Sequence, residues 1–177
     1  MKRFIYLCVC LPLMAAMTAC GGNKGNGATR ETSVMATMDS ADASGVSRLQ
    51  ASRVEISVTF KGKEYHSLVS RVADESLPKV TSEMGDTYLD NTITLRLTTG
   101  GKTVVERVFT KKDFAAVVND DTFLSKSILE GLVYDKTTPE GIVYSASVCY
   151  PGTDMYIPLS ITITADGRMK MAKGGEE

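Results

Sequence analysis

The sequence contains no tryptophan, one histidine and four cysteines among its 177 residues. Sugar-binding platforms commonly use tryptophan, so a carbohydrate-binding module has little support. A zinc-type site needs several His or Cys ligands, and a Ser-His or Cys-His catalytic pair has His66 as its one possible base. The formal net charge of −1 is too small to indicate nucleic acid or anionic lipid as a partner. We therefore expect no cofactor, no metal site and no nucleic-acid partner.

The first 19 residues have the layout of an export signal. Lys2 and Arg3 precede an apolar run over residues 4–19, which is shorter than the roughly 18–20 residues of a membrane-spanning helix and ends in small residues. The motif Met17-Thr18-Ala19-Cys20, followed by Gly21, resembles the lipobox of bacterial lipoproteins. The resemblance implies cleavage before Cys20 and acylation of its sulfur and its new amine. The alternative is an ordinary secretory signal, cleaved near the same place, that releases a soluble protein.

Acylation of Cys20 predicts lasting attachment to a membrane, because each buried acyl CH₂ contributes about 0.8 kcal/mol and more than one chain acts. Cys8 and Cys10 leave with the signal, so Cys149 is the remaining thiol and no internal disulfide is expected. Residues 20–50 are mostly Gly, Asn, Ser, Thr and Ala, with scattered charge and no period. Such a segment buries too little apolar surface to fold, so we interpret it as the lipidated cysteine and a flexible tether.

Alternation with a period of two dominates the chain beyond residue 52, which is typical of β-strands. Val54, Ile56, Val58 and Phe60 alternate with polar residues, and so do Ile93, Leu95 and Leu97. Gly100-Gly101 and Asp166-Gly167 are two-residue hairpin signals. Further strands are predicted at 64–72, 103–109, 128–135, 142–150, 157–164 and around Met169 and Met171. Pro158 cannot donate to a ladder, so it must lie at an edge or point its nitrogen outward.

One stretch departs from this alternation. Thr110 and Asp113 resemble a capping box, and Phe114, Val117 and Val118 follow at helical spacing, which predicts a short helix over residues 111–118. For residues 122–127 the sequence is compatible with either a second helical turn or a loop. The whole pattern predicts one domain, residues 51–177, that is mainly β: an antiparallel β-sandwich or a partly open β-barrel of about eight strands with one short helix.

About half of the chain resembles uncharacterised lipoproteins of Bacteroides and Prevotella type, which are grouped as a domain of unknown function. The segments that carry this resemblance are Tyr88–Leu95, Phe109–Phe114, Ile128–Gly131 and Tyr150–Leu159. The resemblance implies a lipid anchor, one β-rich domain and no assigned activity. In this group acidic residues after the lipidated cysteine mark export to the cell surface. Residues 21–24 here are Gly-Gly-Asn-Lys, so we expect the periplasmic face of the outer membrane, with surface exposure as the alternative.

Two sets of residues are candidates for binding. Tyr150 and Tyr156 flank the Pro151-Gly152 turn, with Asp154 between them, and aromatic rings with polar tips suit a partner surface. The alternative is that the two rings close the end of the core. Asp90 borders a connection over residues 73–89, which is long for a compact domain and therefore a candidate for function. Its acidic residues lack the regular spacing of a calcium loop, so we predict no metal site there.

Residues that could carry catalysis do not form a recognisable set. His66 lies on a predicted strand beside apolar residues, which is more typical of a structural histidine. Glu130, Asp90 and Asp121 are possible acids for a hydrolase, but Glu130 and Asp135 fall on opposite faces of their strand, so they make a poor pair for glycoside hydrolysis. Cys149 has the position of a small filler residue, with a reactive thiol as the alternative.

The sequence leaves three candidate functions. The first is a non-enzymatic binding or envelope-assembly module that is held on the outer membrane through Cys20, with an envelope protein or a small ligand as its partner. The second is a carrier that holds an apolar ligand inside a barrel, which needs a cavity of hundreds of Å³. The third is a carboxylate-dependent hydrolase. We favour the first.

Overall fold

A computed structural model describes residues 41–175; the signal, Cys20 and the tether up to residue 40 lie outside the described residues. The strands are β1 (Val46–Ser47), β2 (Ser52–Phe60), β3 (Lys63–Ala73), β4 (Val80–Thr81), β5 (Thr87–Tyr88), β6 (Asn91–Thr99), β7 (Lys102–Phe109), β8 (Ile128–Thr137), β9 (Ile142–Cys149), β10 (Tyr156–Ile163) and β11 (Met169–Lys173). The helical elements are a 3₁₀ turn (Lys111–Phe114), α1 (Ala115–Val118) and α2 (Asp121–Lys126).

The long strands form two four-stranded antiparallel sheets. Sheet 1 has the order β2-β3-β6-β7 and sheet 2 the order β11-β10-β9-β8. Within the described residues no strand of one sheet is hydrogen-bonded to a strand of the other. The predicted mainly β, antiparallel sandwich is therefore confirmed, and the alternative of a partly open barrel is not what forms.

The core lies between the two sheets and follows the predicted alternation. Ile93, Leu95 and Leu97 of β6 are 0% exposed, and Val148 and Ile161 of sheet 2 are equally buried in the same apolar cluster. Complete burial of such a side chain contributes about 1.5–3 kcal/mol. The period-two pattern thus identified the inner faces of β6, β9 and β10 correctly. On β3 it did not: Leu68 and Val72 share the outer face with the exposed His66, so the interpretation of His66 as a structural histidine among apolar residues is wrong.

Tight turns collect at one end of the sandwich. Lys61 and Gly62 have φ of 49° and 72°, and Gly100 and Gly101 have φ of 54° and 74°. Two successive residues with positive φ give the backbone twist that joins antiparallel strands directly, as predicted for Gly100-Gly101. The β8–β9 and β10–β11 turns lie at this same end, which we call the hairpin end.

Pro158 lies inside sheet 2 without disturbing it. Its carbonyl accepts a hydrogen bond from the Gly174 N–H at 2.8 Å, and Gly174 is the residue after the end of β11. Since N and C=O of one strand residue point to the same side, the nitrogen of Pro158 faces this last position of the ladder. The missing donor therefore costs only a terminal hydrogen bond.

The long connections lie at the opposite end, which we call the loop end and define as residues 41–51, 74–90, 110–127 and 150–156, the last of which is the first residue of β10. Part of the segment interpreted as tether belongs here: β1 pairs in parallel with β5, and β5 with β4. Val46 is 6% and Leu49 is 4% exposed, and Leu49 packs in a small second core with Val80, Ile128 and Cys149. Two apolar residues three apart among Gly and Ser were too few to reveal this strand in the sequence.

The helical connection follows the predicted capping. Asp113 accepts hydrogen bonds from the Thr110 N–H at 2.8 Å and from Arg107 at 2.7 Å. Burial opposes ionisation of Asp113, but these hydrogen bonds outweigh it and hold its pKa below the ordinary value. The 3₁₀ turn and α1 together cover the predicted residues 111–118, and Asn119 ends α1 in the left-handed conformation with φ of 50°. The second helical turn, left open by the sequence, is α2.

Candidate binding surface at the loop end

The loop end exposes large apolar side chains that a folded domain normally buries. Met84 is 84%, Met155 is 54% and Tyr156 is 59% exposed. Met84 lies in the β4–β5 turn, while Met155 and Tyr156 lie where the 150–155 connection meets β10. The other exposed large apolar side chains, Val54, Val72, Val108 and Val133, lie on strands. Exposed apolar groups on connections at one end of a molecule are candidates for an interaction site.

Side-chain contacts hold the connections of the loop end together. Lys126 of α2 lies 3.5 Å from Glu83 of the β4–β5 turn. Phe123 of α2 stacks on Tyr150, with ring centroids 4.5 Å apart and an interplanar angle of 19°. Stacking of this kind contributes about 0.5–1.5 kcal/mol beyond area burial. The helix α2 therefore contacts both segments that carry the exposed methionines.

The 150–155 connection is a compact turn. The N–H of Tyr150 donates to the carbonyl of Met155 at 2.9 Å, and the N–H of Thr153 donates back to the carbonyl of Tyr150 at 3.2 Å. Gly152 has φ of 75°, and a Cβ at this position would lie 3.0 Å from the Tyr88 hydroxyl oxygen. A side chain there would be strained by the backbone and would press on β5. Glycine thus allows the turn to pack against β5.

The structure separates the predicted binding residues. Tyr156 and Asp154 are exposed on the turn, as a binding surface requires, whereas Tyr150 is half-buried against Phe123. For Tyr150 the alternative interpretation, that the ring closes the end of the core, describes its position better. Asp90 is only 1% exposed, so it does not belong to the surface at all.

Asp90 instead joins the two sheets from inside. Its Oδ1 accepts hydrogen bonds from the N–H of Asn91 and the N–H of Leu129, both at 2.8 Å. Its Oδ2 lies 3.3 Å from the Lys111 Nζ, which also donates to the Ser127 carbonyl at 2.5 Å. A carboxylate immediately before β6 of sheet 1 therefore fixes the first residues of β8 of sheet 2, and the buried ammonium is balanced by one carboxylate and one carbonyl.

Further polar groups continue this cluster along β8. The Arg71 guanidinium donates to the carbonyls of Glu130 at 2.6 Å and Gln50 at 2.9 Å, and Ser147 donates to the Glu130 carboxylate at 2.8 Å. Asn91 donates its amide to the Leu129 carbonyl at 2.9 Å. Burial lowers the pKa of Arg71, while the charge of Glu130 opposes that effect. These residues form what we call the polar cluster: Arg71, Asp90, Asn91, Lys111 and Glu130. The polar cluster supports the connections of the loop end.

Cys149 borders the polar cluster, and its environment makes the thiol unreactive. Its side chain is 7% exposed, and burial, together with the negative charges of Glu130 and Asp90, raises its thiol pKa to about 12. A nucleophilic cysteine needs the thiolate near neutral pH. The interpretation as a small filler residue fits this environment.

The remaining catalytic candidates do not converge. His66 lies exposed on the outer face of sheet 1, where its Nδ1 is 3.1 Å from the Ser57 hydroxyl. Asp121 is exposed in α2 and Asp135 is exposed near the end of β8. Within residues 41–175 no three His, Cys, Asp or Glu side chains are grouped to hold a metal ion. Glu130 and Asp90 are both committed to contacts inside the polar cluster.

Charge divides the described domain into two parts of opposite sign. The loop end contains ten acidic and five basic residues, a net charge of −5, while the rest of residues 41–175 contains seven acidic and eleven basic residues, a net charge of +4. Separated charge of this size creates a field that orients a charged partner before contact. The net charge of −1 over the whole sequence conceals this separation, which appears only when the connections are assigned to one end.

The fold and this surface define a β-sandwich with a specialised loop end. The chain belongs to a family described as a domain of unknown function, DUF4738, whose family model matches residues 31–171. This match confirms the domain of unknown function that the resemblance implied. No curated protein gives a significant match to the chain. Within residues 41–175 no helix has the length and apolarity to cross a membrane.

Proposed function

We propose that the protein is a lipoprotein of Bacteroides type that is anchored to the outer membrane through Cys20 and binds an envelope partner, without catalysis, through its loop end. The observation that carries the binding role is the exposure of Met84, Met155 and Tyr156 among connections that are held in place by α2 and the polar cluster. A rigid scaffold that presents fixed loops is the usual arrangement of a recognition surface.

The chemistry of the surface indicates the kind of partner. Apolar side chains supply contact area, and an acidic surrounding favours a partner surface with basic residues around an apolar centre. The exposed rim of Tyr156 and Asp154 suits such a contact, since Tyr combines an apolar ring with a hydrogen-bonding tip. A protein of the cell envelope with this complementary character is the proposed partner.

The two other functions have less support. A carboxylate-dependent hydrolase would use Asp90, Glu130 and Asp121, but the first two are engaged inside the polar cluster and the third lies on α2. A carrier needs an apolar cavity, whereas the inner faces of the two sheets are filled by side chains in one continuous cluster. A binding surface on the outside of the domain agrees better with both observations.

The anchor is tested by replacing Cys20 with Ser in the full chain. We expect the wild-type protein to incorporate radiolabelled palmitate and to fractionate with the outer membrane, and the C20S variant to lose both properties. An ordinary signal peptide would instead give no label and an unchanged soluble fraction in both proteins. If protease added to intact cells does not degrade the wild-type protein, the result would support the periplasmic face over the cell surface.

The binding surface is tested by photo-crosslinking in cells. A benzophenone amino acid replaces Tyr156 at the loop end or, as the control, Lys61 at the hairpin end. We expect a discrete crosslinked complex from position 156, none from position 61, and loss of the complex in the C20S background. Equal crosslinking from both positions, or turnover of a substrate by the purified protein without any crosslink, would contradict the proposal.

A further inference from the structure

The outer face of sheet 1 contains a groove that the loop end does not explain. The groove has a volume of about 490 Å³ and is open to solvent. Strands β2, β3 and β6 supply its walls, with Arg53 and Ser57 from β2, His66 from β3, and Arg96 and Thr98 from β6. These residues come together because Ser57 pairs with His66, and His66 pairs with Thr98, across neighbouring strands.

The ring of His66 is oriented by its neighbour. The Ser57 hydroxyl lies 3.1 Å from His66 Nδ1. With Ser57 as the donor, Nδ1 accepts and Nε2 carries the proton, so the ring offers a hydrogen-bond donor to a ligand in the groove. A protonated ring would offer the same donor with a full positive charge. In these two states the histidine favours a ligand that accepts hydrogen bonds, whereas the tautomer that donates Nδ1–H to Ser57 would present an acceptor at Nε2.

Arg96 contributes a half-exposed guanidinium to this face. Its side chain is 49% exposed, and its Nε forms an ion pair with the Glu106 carboxylate at 3.7 Å, which is longer than a hydrogen bond. Arg53, by contrast, donates two hydrogen bonds to Glu55, at 3.1 and 2.5 Å. The ion pair involves Nε, so the two Nη groups of Arg96 are the donors that an oxyanion would accept from, through two parallel hydrogen bonds.

A second groove of about 640 Å³ adjoins the first at the hairpin end. His66 and Gly101 line both grooves, and Lys63 and Lys102 line the second. Across the two grooves four cationic side chains face Glu55 and Glu64 of the lining and Glu106, which is ion-paired with Arg96 beside it. The continuous surface therefore has an excess of positive charge, opposite to that of the loop end.

We propose that this paired groove is a binding site for a ligand that carries an oxyanion, a carboxylate or a phosphate group, with Arg96 and His66 as the residues that contact the anion. Thr98 supplies a hydroxyl beside them, and Leu68 supplies apolar contact for the body of the ligand. The site lies on the outer face of sheet 1 and does not depend on the function proposed for the loop end.

His66 is the sole histidine, so its ring gives an unambiguous NMR signal in the full chain. The purified protein, in detergent micelles at fixed pH, is titrated with inorganic phosphate, with glucuronate, with glucose as a neutral control, and with sodium chloride at matched ionic strength. We expect a saturable shift of the ring resonances with phosphate, glucuronate or both, and none with glucose or chloride. The anion that saturates the shift identifies the chemistry of the ligand.

Three variants test the assignment, and two of them, Arg96→Gln and Lys170→Gln, are charge-matched because each removes one positive charge. Arg96→Gln should weaken binding about tenfold, the effect of losing roughly 1.4 kcal/mol, and Arg96→Lys should recover part of the affinity. Lys170→Gln, on the exposed face of sheet 2, should change it less than twofold. A ring signal that responds to neither anion beyond the chloride control would overturn the proposal. Equal losses in R96Q and K170Q would also overturn it, because they would indicate general screening rather than a site.

Discussion

Removal of the Asp90 carboxylate should destabilise the domain strongly. In the Asp90→Ala variant the N–H groups of Asn91 and Leu129 lose their acceptor, and the buried Lys111 ammonium loses its counter-charge. Breaking a buried ion pair by removing one partner costs about 3–5 kcal/mol. For a domain of this size each kcal/mol lowers the melting temperature by about 2–4 °C, so we expect a decrease of roughly 10 °C or more.

The assay is urea unfolding of the full chain, followed by far-ultraviolet circular dichroism, combined with a double-mutant cycle. Lys111→Met in the D90A background removes the unpaired charge, so the double variant should be less destabilised than the sum of the single variants, with a coupling of about 0.5–3 kcal/mol. Asp86→Ala removes an exposed acid from the same connection and should change stability by less than about 0.5 kcal/mol. A D90A loss below about 1 kcal/mol with no coupling to Lys111 would refute the buried pair.

Three further predictions concern the pH dependence of stability, the reactivity of Cys149 and the cap of α2. Burial raises the pKa of Cys149 from 9.0, and of Tyr144 from 10.0, to about 12 in each case, so the folded state retains protons that the unfolded state releases between about pH 9 and pH 12. The free energy of unfolding should therefore fall as pH rises through that window. Urea unfolding midpoints at pH 8 and pH 11 measure this change. The Cys149 thiol should react with a disulfide reagent at pH 8 only after unfolding. Asp120→Ala should lower the free energy of unfolding by about 1 kcal/mol because it removes the N-cap of α2. Asp121→Ala removes the adjacent exposed acid and should lower it less. The same urea assay compares the two variants.

Each of these outcomes can be contradicted. Stability that is constant or rises between pH 8 and pH 11 would refute the burial of the two titrating groups. Rapid modification of Cys149 in the folded protein would show that the thiol is accessible. Equal losses from the two aspartate variants would show that the α2 cap contributes nothing specific.

The sandwich was predictable because its strands are half-buried. Ile93, Leu95 and Leu97 are spaced by two and all face the core, and a single apolar face on each strand is the strongest signal that an antiparallel sheet leaves in a sequence. Gly100-Gly101 fixed one hairpin for the same local reason, since its backbone conformation requires glycine or a similar residue. Short-range physics determined both features.

The loop end was less predictable because its order depends on distant contacts. Asp90 resembled a surface acid, since nothing near it in sequence shows that Leu129 and Lys111 will meet it from other segments. Arg71 was overlooked for the same reason: a charged residue on a strand is normally exposed, yet it lies 5% exposed beneath Gln50 and Glu130. On this strand the alternation was ambiguous, because Leu68 and Val72 indicate one face and Tyr65 and Val69 the other, and the face that Arg71 shares is the buried one.

The candidate surface was found only in part. Tyr156 and Asp154 were named from the turn that they flank, and the structure exposes both. Met84 and Met155 were not singled out, because an isolated methionine in a connection carries no pattern that distinguishes an exposed side chain from a buried one. Their shared position depends on α2, which contacts both connections and was itself left open by the sequence.

Oxidative footprinting of methionine in intact cells tests the central claim, that the loop end is the binding surface, most directly. Hydrogen peroxide converts accessible methionine to the sulfoxide, and mass spectrometry reports each site. Met84 and Met155 should oxidise quickly in the purified full chain and be protected several-fold in cells, whereas Met169 and Met171 on β11 should react alike in both. Equal oxidation of Met84 and Met155 in cells and in the purified protein would contradict the claim.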